Sequence, residues 1–250
     1  MVSTAVPQQV KRSVEALRGP RYDHLFFSAT VAVMLVTVFV GFSRSYYLAG
    51  GFRAPLPDLL IHVHAVAFTS WMLLLITQTT LVSSRRMDIH RKLGLAGIGL
   101  ACVMVPLGVA AATDSLVREA GPPGRDVKFF YIVPLTAVLM FGTLAAFAFR
   151  ARRDPATHKR LILLATTALM VAAIARWPIA AINRKPLLDS LLSLLFLLAL
   201  VVYDLWTMRR VHRATLLGGA FLVVVSLARF PIGQTAAWHS FASWIQGLFR

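Results

Sequence analysis

Residues Leu59–Val82 read LLIHVHAVAFTSWMLLLITQTTLV, 24 positions without one Asp, Glu, Lys or Arg. A helix needs roughly 20 predominantly apolar residues to cross a hydrocarbon core, so this stretch reads as a membrane span. Ser83-Ser84-Arg85-Arg86 closes it, and a second apolar run starts at Leu93. Outward in both directions, apolar runs alternate with basic punctuation. The spans expected are Leu25–Phe42, Leu59–Val82, Leu93–Ala112, Phe129–Phe149, Leu161–Ile182, Leu187–Trp206 and Thr215–Ile232. The first and last are the shortest, and the sixth carries Asp189 and Asp204 near its ends, which leaves a count of six open. The fold class expected is all-α: a polytopic integral membrane bundle of seven transmembrane helices.

The composition agrees with this. Of 250 residues, 58% are hydrophobic and 14% charged, whereas an ordinary soluble domain carries about 25% charged residues. The net charge of +16 is a balance otherwise typical of nucleic-acid binding, but the cations lie in loops. Lys11, Arg12, Arg18 and Arg21 occupy the N-terminal arm, and Arg85, Arg86, Arg91 and Lys92 the second-to-third connection. Arg150, Arg152, Arg153, Lys159 and Arg160 follow the fourth span, and Arg209, Arg210 and Arg213 the sixth. These make 16 of the 26 Lys and Arg; the opposite face has eight, Arg44, Arg53, Arg118, Arg125, Lys128, Arg184, Lys185 and Arg250. Arg176 and Arg229 remain, near the outer ends of spans. Short cytoplasmic loops retain Lys and Arg, so the N-terminus is expected inside and the C-terminus outside, in a cell inner membrane. Anionic headgroups account for the basic loops, and no nucleic-acid partner is expected.

Residues 1–24 form a basic cytoplasmic arm, 25–232 the membrane domain, and 233–250 a tail. Trp238, Phe241, Trp244, Ile245 and Leu248 give the tail near-helical apolar spacing, suited to an amphipathic segment on the outer surface or to a partner-binding helix. The apolar run after Met1–Asp23 is too long for a signal-peptide core, so an uncleaved signal anchor is expected. Cys102 is the only cysteine, which excludes an intrachain disulfide and a thiolate metal site.

The spans also resemble one another. The fifth opens His158-Lys-Arg-Leu and closes Ala175-Arg176-Trp177-Pro178-Ile179; the seventh opens His212-Arg-Ala-Thr and closes Ala228-Arg229-Phe230-Pro231-Ile232. The third shares the opening His90-Arg91-Lys92-Leu93, and the first begins Asp23-His24. From His to Arg is about 26 Å of helix, close to the hydrocarbon thickness. A parallel hairpin repeat fits this pattern, as does independent selection for similar membrane boundaries.

His24, His90, His158 and His212 therefore fall at one depth, with Asp23, Asp88, Asp154 and Asp204 close by in sequence. Helix N-termini disfavour imidazolium, and neutral imidazole is the metal-ligating form. A His/Asp site for a divalent metal or haem is one expectation, and interfacial capping residues the other. His62 and His64 lie about 200° apart around their helix; His64 shares a face with Trp71 and Gln78, each seven residues on. His62, His64, Gln78, Arg176 and Arg229 are the candidates for a pocket that takes an anionic headgroup, a carboxylate or a quinone oxygen. Snorkelling arginines and interhelical hydrogen bonds account for the same residues without a ligand. Gly94, Gly97 and Gly99 with Ala96 and Ala101 suit close helix packing, and Gly121-Pro122-Pro123-Gly124 marks a turn-rich outer loop.

His62-x-His64, Trp71, Gln78 and His90-Arg91-x-Leu93-Gly94 together resemble a broad group of uncharacterised bacterial multi-pass membrane proteins, in which an HxH helix precedes an HR-x-LG helix start. The resemblance rests on about 33 residues; it implies a helical inner-membrane protein and no activity. The paired helical histidines of alkaline-ceramidase-type hydrolases and the seventh-span lysine of rhodopsins are absent. The leading functional expectation is a prosthetic group or metal on bundle histidines, in a redox or maturation role. The alternatives are binding or transport of an anionic amphiphile or quinone at the outer Arg/His pocket, and an accessory subunit docking on a membrane partner or a second copy.

Overall fold

A computed structural model describes residues 8–55, 57–121, 124, 126–179 and 185–249. The candidate loop residues Pro122, Pro123, Arg125 and Arg184, the end of the expected fifth span at Ile182, and Arg250 lie outside them. The described residues form α1 (Gln8–Phe42), running into a π-helical turn (Ser43–Tyr47), then α2 (Leu59–Ser83), α3 (Met87–Val117), α4 (Val127–Arg150), α5 (Pro155–Ile174), α6 (Pro186–Ser193), α7 (Leu195–Met208), α8 (Arg213–Gly233) and α9 (Ala236–Leu248). Seven spans are long and apolar enough to cross a membrane, with α6 and α7 together forming the sixth. This is the seven-helix membrane bundle expected from hydropathy, with no strands among the described residues.

Caps explain the boundaries. Asp58, Asp126 and Asp154 accept backbone N–H bonds at the starts of α2, α4 and α5, satisfying donors that have no partner inside the helix. The fifth span is consequently shifted from the expected Leu161–Ile182. Asp154 with Pro155 starts it early, and Pro178 disfavours helical geometry at Trp177 and ends it. Arg176 thus follows the helix instead of lying in it. The third span is longer than expected and takes His90 into its first turn. The sixth breaks at Leu194, where Ser190 and Ser193 hydroxyls donate to the Pro186 and Ser190 carbonyls and compete with the backbone ladder.

α5 is the buried centre, packed by α1, α4, α6, α7 and α8. Two-thirds of its apolar window is buried, more than in any other span. Its Ala165-Thr166-Thr167-Ala168 segment is almost wholly enclosed, because small side chains let helices approach without a cavity. The tightest approach is at Gly41 of α1, where an added Cβ would lie 2.2 Å from the Ala173 carbonyl oxygen. On α3, by contrast, the space beside Gly99 is open and Gly97 faces only a Leu74 methyl. The small-residue stripe expected to pack α3 is therefore used on one side only.

The tail is the amphipathic helix α9, lying against α3, α4 and α8. Ala242 and Gln246 are buried, and Trp238 Nε1 donates to the Lys128 carbonyl at 2.8 Å. Phe241, Trp244 and Leu248 stay exposed.

Candidate functional site

Three of the four boundary histidines come together. His24, His90 and His158 line a cavity of about 250 Å³ between α1, α2, α3 and α5, at the end of the bundle that carries the basic connections. Asp23, Gln78 and Lys159 are its other principal polar groups; Phe27, Val31, Leu75, Val82, Ile162 and Leu163 give it apolar walls.

Backbone carbonyls orient two of the polar groups. His158 stands in the first turn of α5, four residues after the Asp154 cap; a hydrogen bond from the Thr157 hydroxyl holds that cap's carboxyl below the usual aspartate pKa. His158 Nδ1 lies 2.8 Å from the Ala148 carbonyl oxygen in the last turn of α4, where helix carbonyls lack intrahelical partners. A carbonyl only accepts, so Nδ1 carries the proton and a neutral His158 keeps Nε2 as a free acceptor. The Gln78 amide is fixed in the same way. Its Nε2 donates to the His90 carbonyl at 3.2 Å, so Oε1 turns away, buried and unpartnered, as is His90 Nδ1. Gly94 lies one helical turn on, its missing Cβ 3.7 Å from Gln78 Nε2. Three residues of the pattern that carried the family resemblance, Gln78, His90 and Gly94, thus form one contact.

Asp23 borders the cavity and ties α1 to two neighbours. It pairs with Lys159 and accepts a hydrogen bond from the Tyr203 hydroxyl. Lys159 also lies over the Phe27 ring at 4.9 Å, and Tyr203 stacks on Phe26 at 4.1 Å.

His212 does not join the other histidines. It is the N-cap of α8, its Nδ1 accepting from the Ala214 N–H at 3.1 Å; burial and the Arg160 guanidinium hold its pKa below the usual histidine value. The two aligned histidines therefore have different local roles, since His158 sits inside its helix and His212 caps one. Among the described residues no group of three His, Cys, Asp or Glu side chains is placed to hold a metal ion. The four-histidine metal centre expected from equal depth does not form, because depth places residues in a plane and not around a point.

Beside His212 lies a buried ion pair that neither charge nor motif reading identified. Arg160 Nη2 and Nε donate to Asp204 Oδ1 at 2.6 and 3.0 Å, and Asp204 Oδ2 accepts from Thr215 Oγ1 at 2.6 Å and the His212 N–H at 3.1 Å. The side chains are 3% and 0% exposed, so Arg160 is no loop cation. The signal available was Asp204 itself, an aspartate in an apolar span that requires a partner on another helix.

The candidates for the opposite end come together only in part. His62 is exposed and its Nδ1 lies 3.2 Å from the Tyr46 hydroxyl. His64 is half-buried, stacked on Phe68 at 4.1 Å, with Nδ1 unpartnered. Arg176 is exposed, donates to the Ala172 carbonyl at 2.7 Å and lies over Phe42. Arg229 is 1% exposed, with Nη2 donating to Ser190 and the guanidinium over Phe230 at 5.4 Å. Its partners are thus Ser190 and Phe230, and among the described residues no hydrogen bond, ion pair or ring contact joins it to His62 or His64. It also does not snorkel, because the bend at α6 brings Ser190 over it. Gln78 belongs to the basic end. The outer set is therefore not assembled whole: Arg176 stands within electrostatic reach of His64, whereas Arg229 and Gln78 lie elsewhere.

The basic-end cavity has the build of a ligand site, with mostly apolar walls and a few oriented polar atoms. Its volume falls below the roughly 300–1,000 Å³ of sites for drug-sized ligands, too little to enclose a porphyrin. His158 Nε2 and Gln78 Oε1 accept, and His90 Nδ1 does either according to its tautomer. No family model matches the chain, and no curated protein or solved structure matches it.

Proposed function

We propose that the basic-end cavity binds the compact hydroxyl-bearing head of a membrane amphiphile, a quinol-type ring being the class that suits it best. The observation that carries this reading is the pair of acceptors, His158 Nε2 and Gln78 Oε1, each left free because a backbone carbonyl holds the opposite atom of the same side chain. Two acceptors call for two O–H donors. A cation is disfavoured, since Asp23, the carboxylate that lines the cavity, is already paired with Lys159, and Arg91 acts on His90 from beside it.

Short-chain hydroquinone titrated anaerobically into detergent-purified protein tests this. The hydroquinone binds more tightly than its oxidised quinone, and Gln78→Leu or His158→Phe weakens it by about 5- to 100-fold, the loss associated with a buried hydrogen-bond partner. Equal affinity for both oxidation states, or full affinity in both variants, refutes the proposal. Stoichiometric metal or a visible absorbance band in the same preparation would instead favour a bound prosthetic group.

We further propose that the basic end faces the cytoplasm of a cell whose inner membrane holds the protein, supported by the excess of Lys and Arg in the connections at that end. A reporter active only in the cytoplasm, fused within the 151–154 connection, is then active, and one fused after α9 is silent; the reverse pattern would invert the topology.

A further inference from the structure

α1 stands between two hollows. Its His24, Phe27, Ser28 and Val31 face the basic-end cavity. On its other side, Phe26, Ala29 and Val33 line a groove of about 920 Å³ shared with α7. Across the groove Phe26 stacks on Tyr203 and Tyr22 meets Trp206 edge-on at 5.1 Å, so the N-terminal half of the span already rests on α7.

The far end of α1 is fastened. Gly41 lies against the Ala173 backbone with no room for a side chain. Trp177 Nε1 donates to the Thr37 carbonyl at 3.2 Å, and the Tyr47 and Thr69 hydroxyls are 2.8 Å apart. Between these anchors the helix passes into the π-helical turn Ser43–Tyr47, a geometry frequent at functional sites. From Gly41 back to Asp23 is about 27 Å of helix, a lever on which a tilt of a few degrees moves the tip by a few ångströms. Among the described side chains, the polar hold on this end of the span is Asp23, through Lys159 and Tyr203.

We infer that α1 is a lateral gate to the basic-end cavity, latched by Asp23. Released from Lys159 and Tyr203, the Asp23 end of the span tilts outward about the Gly41 anchor, away from α5, and widens access to the cavity. This rests on the cavity being a ligand site, and an entering hydroxyl that competes with Tyr203 for the Asp23 carboxylate is the natural release.

Thiol accessibility tests this without the ligand. In a Cys102→Ser background, Ser28→Cys reports the cavity side of α1 and Ala29→Cys the groove side, each labelled in native membranes with N-ethylmaleimide and read by mass. Adding Asp23→Ala is expected to raise the Ser28→Cys labelling rate by about tenfold or more, as the loss of a charge-assisted hydrogen bond allows, with no rise at Ala29→Cys. Tyr203→Phe removes one bond, keeps the stacked ring and gives a smaller rise of the same sign; it carries the test if Asp23→Ala does not fold. An unchanged Ser28→Cys rate overturns the gate, and so does an equal rise at both positions, which reports general loosening. Neither result bears on hydroquinone binding, so gate and ligand site fail separately.

Discussion

Asp204→Ala is expected to destabilise the protein by about 3–5 kcal/mol, the cost of leaving one partner of a buried ion pair alone. That is a large share of the roughly 5–15 kcal/mol that holds a typical domain folded. Asp204 accepts from Arg160, from the Thr215 hydroxyl and from the His212 N–H, so the carboxylate joins α5, α7 and the start of α8. Removing it strands the Arg160 guanidinium, which retains only the Ala156 carbonyl and the Met208 sulfur. The double variant Arg160→Met, Asp204→Leu removes both charges and fills the space, and it recovers most of the loss. Reversible unfolding of the single and double variants in mixed detergent gives the coupling. A single-variant loss below about 1 kcal/mol, the range of an exposed pair, would show that the pair is hydrated.

Trp71→Ala is expected to cost a similar amount, about 3–5 kcal/mol. The indole is 2% exposed and meets Phe141 edge-on at 5.0 Å, with Nε1 donating to Thr166 Oγ1 at 3.2 Å. In a bilayer, lipid tails are as apolar as the core, so the contribution of Trp71 is packing rather than transfer from water. A hole at the contact of α2, α4 and α5 forfeits that dispersion outright. Trp71→Phe keeps much of the ring and loses the interhelical bond, a smaller effect of about 0.6–2 kcal/mol. The same unfolding assay ranks the two. Equal losses would assign the role to the hydrogen bond and not to the volume.

The heptad His64, Trp71, Gln78 shows how far a single helix could be read. Its shared face was legible from spacing, and all three turn at least partly inward. Their separate fates were not: His64 stacks on its neighbour Phe68, Trp71 plugs the core, and Gln78 reaches the turn after His90. The arginines make the same point. Arg176 and Arg229 occupy matching places in their sequence motifs, yet one follows its helix and stays exposed over Phe42 while the other is covered by Ser190. In α9, apolar spacing located the helix, but Trp238 and Ile245 pack on the bundle while Phe241 and Trp244 do not.

What the amino-acid order determined by itself was the all-α class, the seven spans and the clustering of cations at one end. Hydropathy and charge act on each segment through its solvent, so they add along the chain and need no partner. The tertiary structure alone decided which polar groups meet: His24, His90 and His158 at one cavity, His212 at a cap, Arg160 on Asp204. Those outcomes depend on which helices become neighbours and how each is rotated. Packing volume and hydrogen-bond satisfaction between distant segments set that arrangement, and local pattern does not encode it.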